Sequence, residues 1–146
     1  GFPADIVMFE QQDPNVRTAT AKVNGAVITG TDINQRVALV LAASERDGLP
    51  PEEMNALRMQ VLRNLIDETL QIQAAAAQDM AVSQEQVEQR YEALARQNFS
   101  QNPAQMDAYL IGVGSSPAAL KRQIEGELAW NNMLRRNVAT FFNVYF

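Results

Sequence analysis

At 146 residues the chain is long enough for one domain that buries roughly two-thirds of its unfolded surface. A hydrophobic fraction of 47% with 20% charged residues fits a globular fold, and a net charge of −5 disfavours nucleic acid and anionic lipid as partners. With His 0 and Cys 0, imidazole bases, thiol nucleophiles, disulfides and most zinc or copper sites are removed, so a non-enzymatic role without a cofactor or metal is expected.

Residues 1–19 carry Pro3, Pro14 and no clear period, and read as an extended arm. The first sharp signal is the Asn24-Gly25 pair between two apolar runs, which predicts a hairpin with a type I′ turn. A two-stranded ribbon is marginal alone in water and needs a further strand or a helical support. Thr31 or Asp32 then caps a first helix, with Gln35 placed to reach back. Ile33, Val37, Val40 and Leu41 form its inner face, and Gly48 is expected as the residue that ends it.

Pro51 opens a long second helix over 51–79, favoured by Glu52 and Glu53 in its first turn. Its apolar stripe runs from Leu57 through Leu65 to Ala76 and is wide enough for a central spine contacted from several sides. Ser83 and Gln86 form a capping box, with Val82 and Val87 as a hydrophobic staple, at the start of a third helix. Asn102-Pro103 repeats the start logic for a short fourth helix, and Ser116-Pro117 opens a fifth that carries Leu120, Ile124, Leu128 and Leu134. The fold class expected is mainly α, with about five helices around one long central helix, preceded by a short N-terminal β-hairpin. No stretch approaches the ~18 apolar residues of a membrane span, and no stable membrane insertion is expected. The chain starts at Gly1, which fits a removed leader or a cut within a longer chain.

No motif carries a convincing chemistry. Asp67 with Glu68, and Glu125 with Glu127, sit one or two apart on helices, do not face each other and read as solvated surface. Gly112-Val113-Gly114-Ser115-Ser116 lacks the spacing of a phosphate loop and follows a helix, so it reads as an interhelical turn. Trp130 reads as a packing residue, and Arg63, Lys121 and Arg122 as surface charges. The patch expected to be exposed for peptide binding is Met106, Tyr109, Leu110, Ile111 and Val113, with Met54 and Leu57 beside it, since methionine suits adaptable surfaces. The tail 141–146 holds Phe141, Phe142, Val144, Tyr145 and Phe146. It has three readings: a strand added to the hairpin in its own or another chain, the start of a connection to a further domain, or a mimic of an extended client. The first is favoured.

The order of these parts resembles the N-terminal chaperone region of SurA-type periplasmic folding factors. The matching residues are the hairpin and cap over 23–33, the long-helix segment 62–71, the capped Val82-Ser83 helix, and the segments 120–128 and 134–138 of the last helix. The resemblance covers about residues 20–144, leaving 20–140 as the chaperone-like domain between the arm and the tail. It implies an ATP-independent periplasmic chaperone that holds unfolded outer-membrane β-barrel proteins or aromatic-rich peptides. Members of that family continue into parvulin-type prolyl isomerase domains and return with a C-terminal segment; neither follows Phe146, so no isomerase activity is expected of this chain and its core is expected to lack a piece. An uncovered face of that kind favours self-association, and a homodimer is expected through Val23, Val27 and the aromatic tail. The competing reading is an assembly domain whose groove serves only its own oligomer.

Overall fold

A computed structural model describes residues 4–8, 19–99 and 102–145, with the side chains of Ala19 and of residues 137–145 left out. Among the described residues the order is β1 (Ile6–Met8), β2 (Ala19–Val23), β3 (Ala26–Thr29), α1 (Gly30–Ala43), α2 (Pro51–Ala77), α3 (Gln84–Asn98), α4 (Pro103–Gly112) and α5 (Pro117–Tyr145). The fold is therefore mainly α with five helices and a short antiparallel sheet, as the periodicities predicted.

The hairpin turns where Asn24-Gly25 placed it, with φ of 50° and 88° at the two central positions. Gly25 meets this demand without a Cβ penalty, and asparagine is among the few other residues that tolerate it. Asn24 also anchors the turn. Its side chain accepts from the Asp5 amide at 2.6 Å and donates to Gln73 Oε1 at 2.9 Å, while Gln73 Nε2 donates to the Val23 carbonyl at 2.9 Å. The ribbon is thus strapped to α2 from one side and to β1 from the other.

The sheet order is β1-β2-β3, all antiparallel. This corrects the expectation that Phe141–Phe146 supplies the extra strand within the chain. Ile6–Met8, inside the segment expected to be an arm, takes that place, while α5 continues through Tyr145. The aromatic side chains of the tail and all of Phe146 lie outside the described residues. No proline follows Pro117 before Tyr145, and the helix runs through Gly126 without a break.

Pairing register sets the sheet faces. Ala21, Val23 and Ile28 turn inward and are fully buried, whereas Val27 turns outward and is exposed. Val23 is therefore core rather than the self-association surface expected of it. Ile6 and Met8 share the inner face with Val23 and Ala21 yet stay 43% and 53% exposed, because β1 overhangs the helices that cover β2 and β3.

The cap of α1 lies two or three residues earlier than expected. β3 runs into the helix without a loop, so Thr29 Oγ1 accepts from the Asp32 amide at 3.1 Å and Asp32 Oδ2 accepts from the Thr29 amide at 2.8 Å. Its end also differs: Glu45, three residues before Gly48, takes the left-handed position with φ 54°, and the Arg46 amide closes back on the Leu41 carbonyl at 2.9 Å. The capping box of α3 and the Asn102 cap of α4 form where the sequence placed them.

Two packed clusters result. One joins the sheet to α1 and α2 through Val23, Ile28, Val37, Val61 and Leu65; the other joins α3, α4 and α5 through Tyr91, Ala95, Met106, Leu110 and Ile124. The central element is a pair rather than a single spine, because α2 packs most extensively on α5. At their crossing, Glu68 is buried and bidentate with Arg36 of α1, at 2.8 and 3.0 Å. A Cβ on Gly126 would overlap Glu68 Cγ, so glycine in α5 is what makes room for that carboxylate. Glu68 was expected on the solvated surface; the neighbouring Asp67 lies on the exposed side, and only packing of α1 and α5 distinguishes the two.

Candidate functional site

The short helix α4 is the least enclosed part of the helical body. Asn102 Oδ1 accepts from the Ala104 amide at 3.0 Å to start it, and the Asp107 carboxylate accepts from the Tyr91 hydroxyl to hold it on α3. The turn that follows is fixed to α1. Ser115 Oγ donates to the Gln35 carbonyl at 2.8 Å, Ser116 Oγ donates to Gln35 Oε1 at 2.9 Å, and Ser116 Oγ accepts from the Ala119 amide at 3.0 Å. Gln35 thus ties α1 to the α4–α5 turn instead of capping its own helix.

These ties leave a trough between the second half of α1 and α4. A cleft of about 580 Å³ lies on one side, walled by Val37, Ala38 and Leu41 of α1 and by Tyr109 and Val113. A second of about 430 Å³ lies on the other, walled by Leu39, Val40 and Ala43 of α1, by Leu120 of α5 and again by Tyr109. Tyr109 divides them, 45% exposed, with its ring 5.4 Å from that of Phe99. The first cleft carries a polar rim of Asn34, Glu45, Arg46 and Asp47. Alkyl walls, one exposed phenol and a polar rim suit the reversible burial of apolar side chains of an extended segment.

The residues proposed from sequence do not form one surface. Tyr109, Ile111 and Val113 are exposed, and Tyr109 and Val113 line the trough. Met106 and Leu110, turned inward on the same helix, are 3% and 4% exposed and belong to the second cluster. Met54 and Leu57 pack against the first cluster, on another side of α1. The residues missed are the α1 segment 37–43 and Leu120. Their signal was present: α1 holds seven apolar residues in a row over 37–43, more than one buried face requires.

The two groups with shifted titration, Tyr91 and Glu125, do not line the trough. Burial pushes the Tyr91 hydroxyl above its ordinary value, and the hydrogen bond to Asp107 and the charges of Asp107 and Glu88 add to this. Burial likewise raises the Glu125 carboxyl, reinforced by Glu68 and opposed by Arg122. Neither Lys121 nor Arg122 is a free surface charge. Lys121 pairs with Glu88 at 2.8 Å and lies 4.7 Å from the Tyr91 ring centre, and Arg122 donates to Thr69 Oγ1 at 2.8 Å. Trp130, expected to pack, is 45% exposed. Among the described residues no three His, Cys, Asp or Glu side chains converge on a metal-sized site, and no helix is long and apolar enough to cross a membrane.

Five helices closed by a strand trio, with an apolar trough beside a short helix, define a mainly helical domain with one candidate binding surface. The family model for the SurA-like N-terminal domain matches residues 4–134, and the chain belongs to that family. Its relatives include the chaperone SurA of Chromobacterium violaceum, 31% identical over 124 residues, covering 85% of this chain and 29% of that protein. The chaperone SurA of Pseudomonas syringae pv. syringae is 32% identical over 124 residues, covering 84% and 28% respectively. That of Methylobacillus flagellatus is 36% identical over 80 residues, covering 53% and 18%. The chain therefore spans less than a third of the length of each of these relatives. The similarity supports a chaperone role.

Proposed function

We propose that this domain is an ATP-independent holding module of the periplasm that binds unfolded outer-membrane β-barrel proteins through the trough around Tyr109. The observation that carries this reading is the pair of apolar clefts on either side of an exposed tyrosine, on a fold whose relatives are chaperones. Client aromatic and aliphatic side chains enter the two clefts while the client backbone stays extended over α4. The binding is reversible burial and involves no covalent step. Affinity is modest, because ordering an unfolded segment costs conformational entropy that the burial must exceed.

The test is titration of the chain against a fluorescent aromatic-rich peptide, together with suppression of aggregation of a denatured β-barrel protein. Tyr109→Glu should weaken peptide binding about tenfold or more, as expected for an exposed aromatic anchor. Met59→Glu, at an exposed position on α2 outside the trough, should leave binding unchanged. Full suppression by the Tyr109→Glu variant would remove the trough from the mechanism. No binding to any unfolded aromatic-rich chain would leave the assembly-domain reading in its place.

A further inference from the structure

The second half of α5 presents a face that the described residues do not cover. Its inner residues Ile124 and Ala129 are 2% and 1% exposed. Its outer stripe, at steps of three and one, is Glu127, Trp130, Asn131, Leu134 and Arg135, all exposed. Trp130 and Leu134 are among the large apolar side chains left in water, at 45% and 41%. Within the described residues Glu127, Asn131 and Leu134 follow one another at steps of four and three. That is the 3.5-residue repeat of a helix-pairing seam, with Asn131 as its polar member.

The charges along the stripe are separated in a self-complementary way. Trp130 flanks a cleft of about 330 Å³ between α2 and α5 whose rim carries Asp67 and Glu127 and whose lining includes the Arg36–Glu68 pair. Among the described residues neither Asp67 nor Glu127 has a salt-bridge partner. Arg135, at the other end of the stripe, makes only a 3.3 Å hydrogen bond to Asn132 Oδ1 and pairs with no described carboxylate. Asn131 lies midway between Glu127 and Arg135. A parallel pairing of two such helices sets like charge on like charge. An antiparallel pairing about Asn131 brings each Arg135 to the other copy's Glu127 and Trp130, where carboxylate and indole face both receive a guanidinium. The contact is isologous, so it closes as a dimer and does not propagate.

We propose that this face of α5 docks a second copy of the chain, antiparallel, with Arg135 of each copy seated in the acidic cleft beside Trp130 of the other. This stands independently of the holding function, which uses the trough around Tyr109 rather than the exposed stripe of α5.

Sedimentation across the micromolar range tests it on the intact chain. A reversible dimer is expected. Leu134→Glu and Arg135→Glu should each raise its dissociation constant about tenfold or more, while far-ultraviolet dichroism stays unchanged because both side chains are exposed. Glu127→Arg should weaken the dimer similarly, and the double variant Glu127→Arg with Arg135→Glu should restore it. Because the chain has Cys 0, an equimolar mixture of Glu127→Cys and Arg135→Cys chains should also oxidise to a cross-linked pair. A monomer throughout the range overturns the proposal, as does a dimer indifferent to Leu134→Glu and Arg135→Glu. A double variant no tighter than either single change overturns the antiparallel arrangement. Tyr109→Glu should leave the dimer unchanged, so failure of the trough and failure of this face are read separately.

Discussion

The sheet side and the α4 side of the molecule bury comparable elements by different means. Around Val23, Ile28, Val61 and Leu65 the filling is aliphatic and nearly sealed, and the hairpin is strapped to α2 through Gln73. Around α4 the filling is Met106, Leu110 and Tyr91, the helix has only ten residues, and its other face shows Tyr109, Ile111 and Val113 to solvent. Branched aliphatics in fixed rotamers define one packing; an unbranched thioether accepts several. The difference teaches where a binding surface can sit on so small a domain. The rigid half holds the shape, and the trough lies where a short helix with few partners adjoins it.

The strongest way to break this contrast is at the joint. Glu68→Ala leaves Arg36 buried and unpaired among α1, α2 and α5, and should cost about 3–5 kcal/mol in urea unfolding. Arg36 Nε already lacks a partner among the described residues, so little nearby can compensate. Next come the two fillings themselves. Leu65→Ala should cost about 2–5 kcal/mol, whereas Met106→Leu should cost less than about 1.5 kcal/mol. Equal losses on the two sides would show that the α4 cluster is as rigidly specified as the sheet cluster.

Smaller effects sharpen the same comparison. Gly25→Ala places a Cβ on a residue with φ 88° and should cost about 1–2 kcal/mol by thermal or chemical unfolding, although open space surrounds the position. Tyr91→Phe removes the hydrogen bond to Asp107 and should cost about 1 kcal/mol near neutral pH. The fold holds the Tyr91 proton more tightly than the unfolded chain does, so the stability this contributes is present below the ordinary tyrosine range and is lost as pH rises through and beyond it. Unfolding followed up the alkaline limb should therefore bring the native chain and the Tyr91→Phe variant together. The smallest effect concerns Glu125, whose carboxyl is also raised by burial. Its contribution is present below the ordinary carboxylate range and lost as pH rises above it, so Glu125→Gln should slightly stabilise the chain at neutral pH.

What the sequence determined by itself was local. Asn24-Gly25 dictates its own turn, and Ser83 with Gln86 dictates its own cap, because the atoms that satisfy each other lie within a few residues. Helical periodicity likewise identified five helices, and the order of the motifs led to the family. Where two local solutions competed, tertiary structure chose. Thr29 captured the α1 cap because β3 leads straight into the helix, and Ile6–Met8 completed the sheet while α5 stayed helical through Tyr145. The site was legible only in part for the same reason. Helical spacing sets Met106 beside both Tyr109 and Leu110 and does not say which of them faces water; that was decided by α3 and α5 closing over Met106 and Leu110. Glu68 and Asp67 are adjacent in sequence, and only the approach of Arg36 and the missing Cβ of Gly126 turn one into a buried ion pair and leave the other in solvent. Short-range hydrogen bonds and periodicity are written along the chain, whereas burial is a property of what arrives from elsewhere in it.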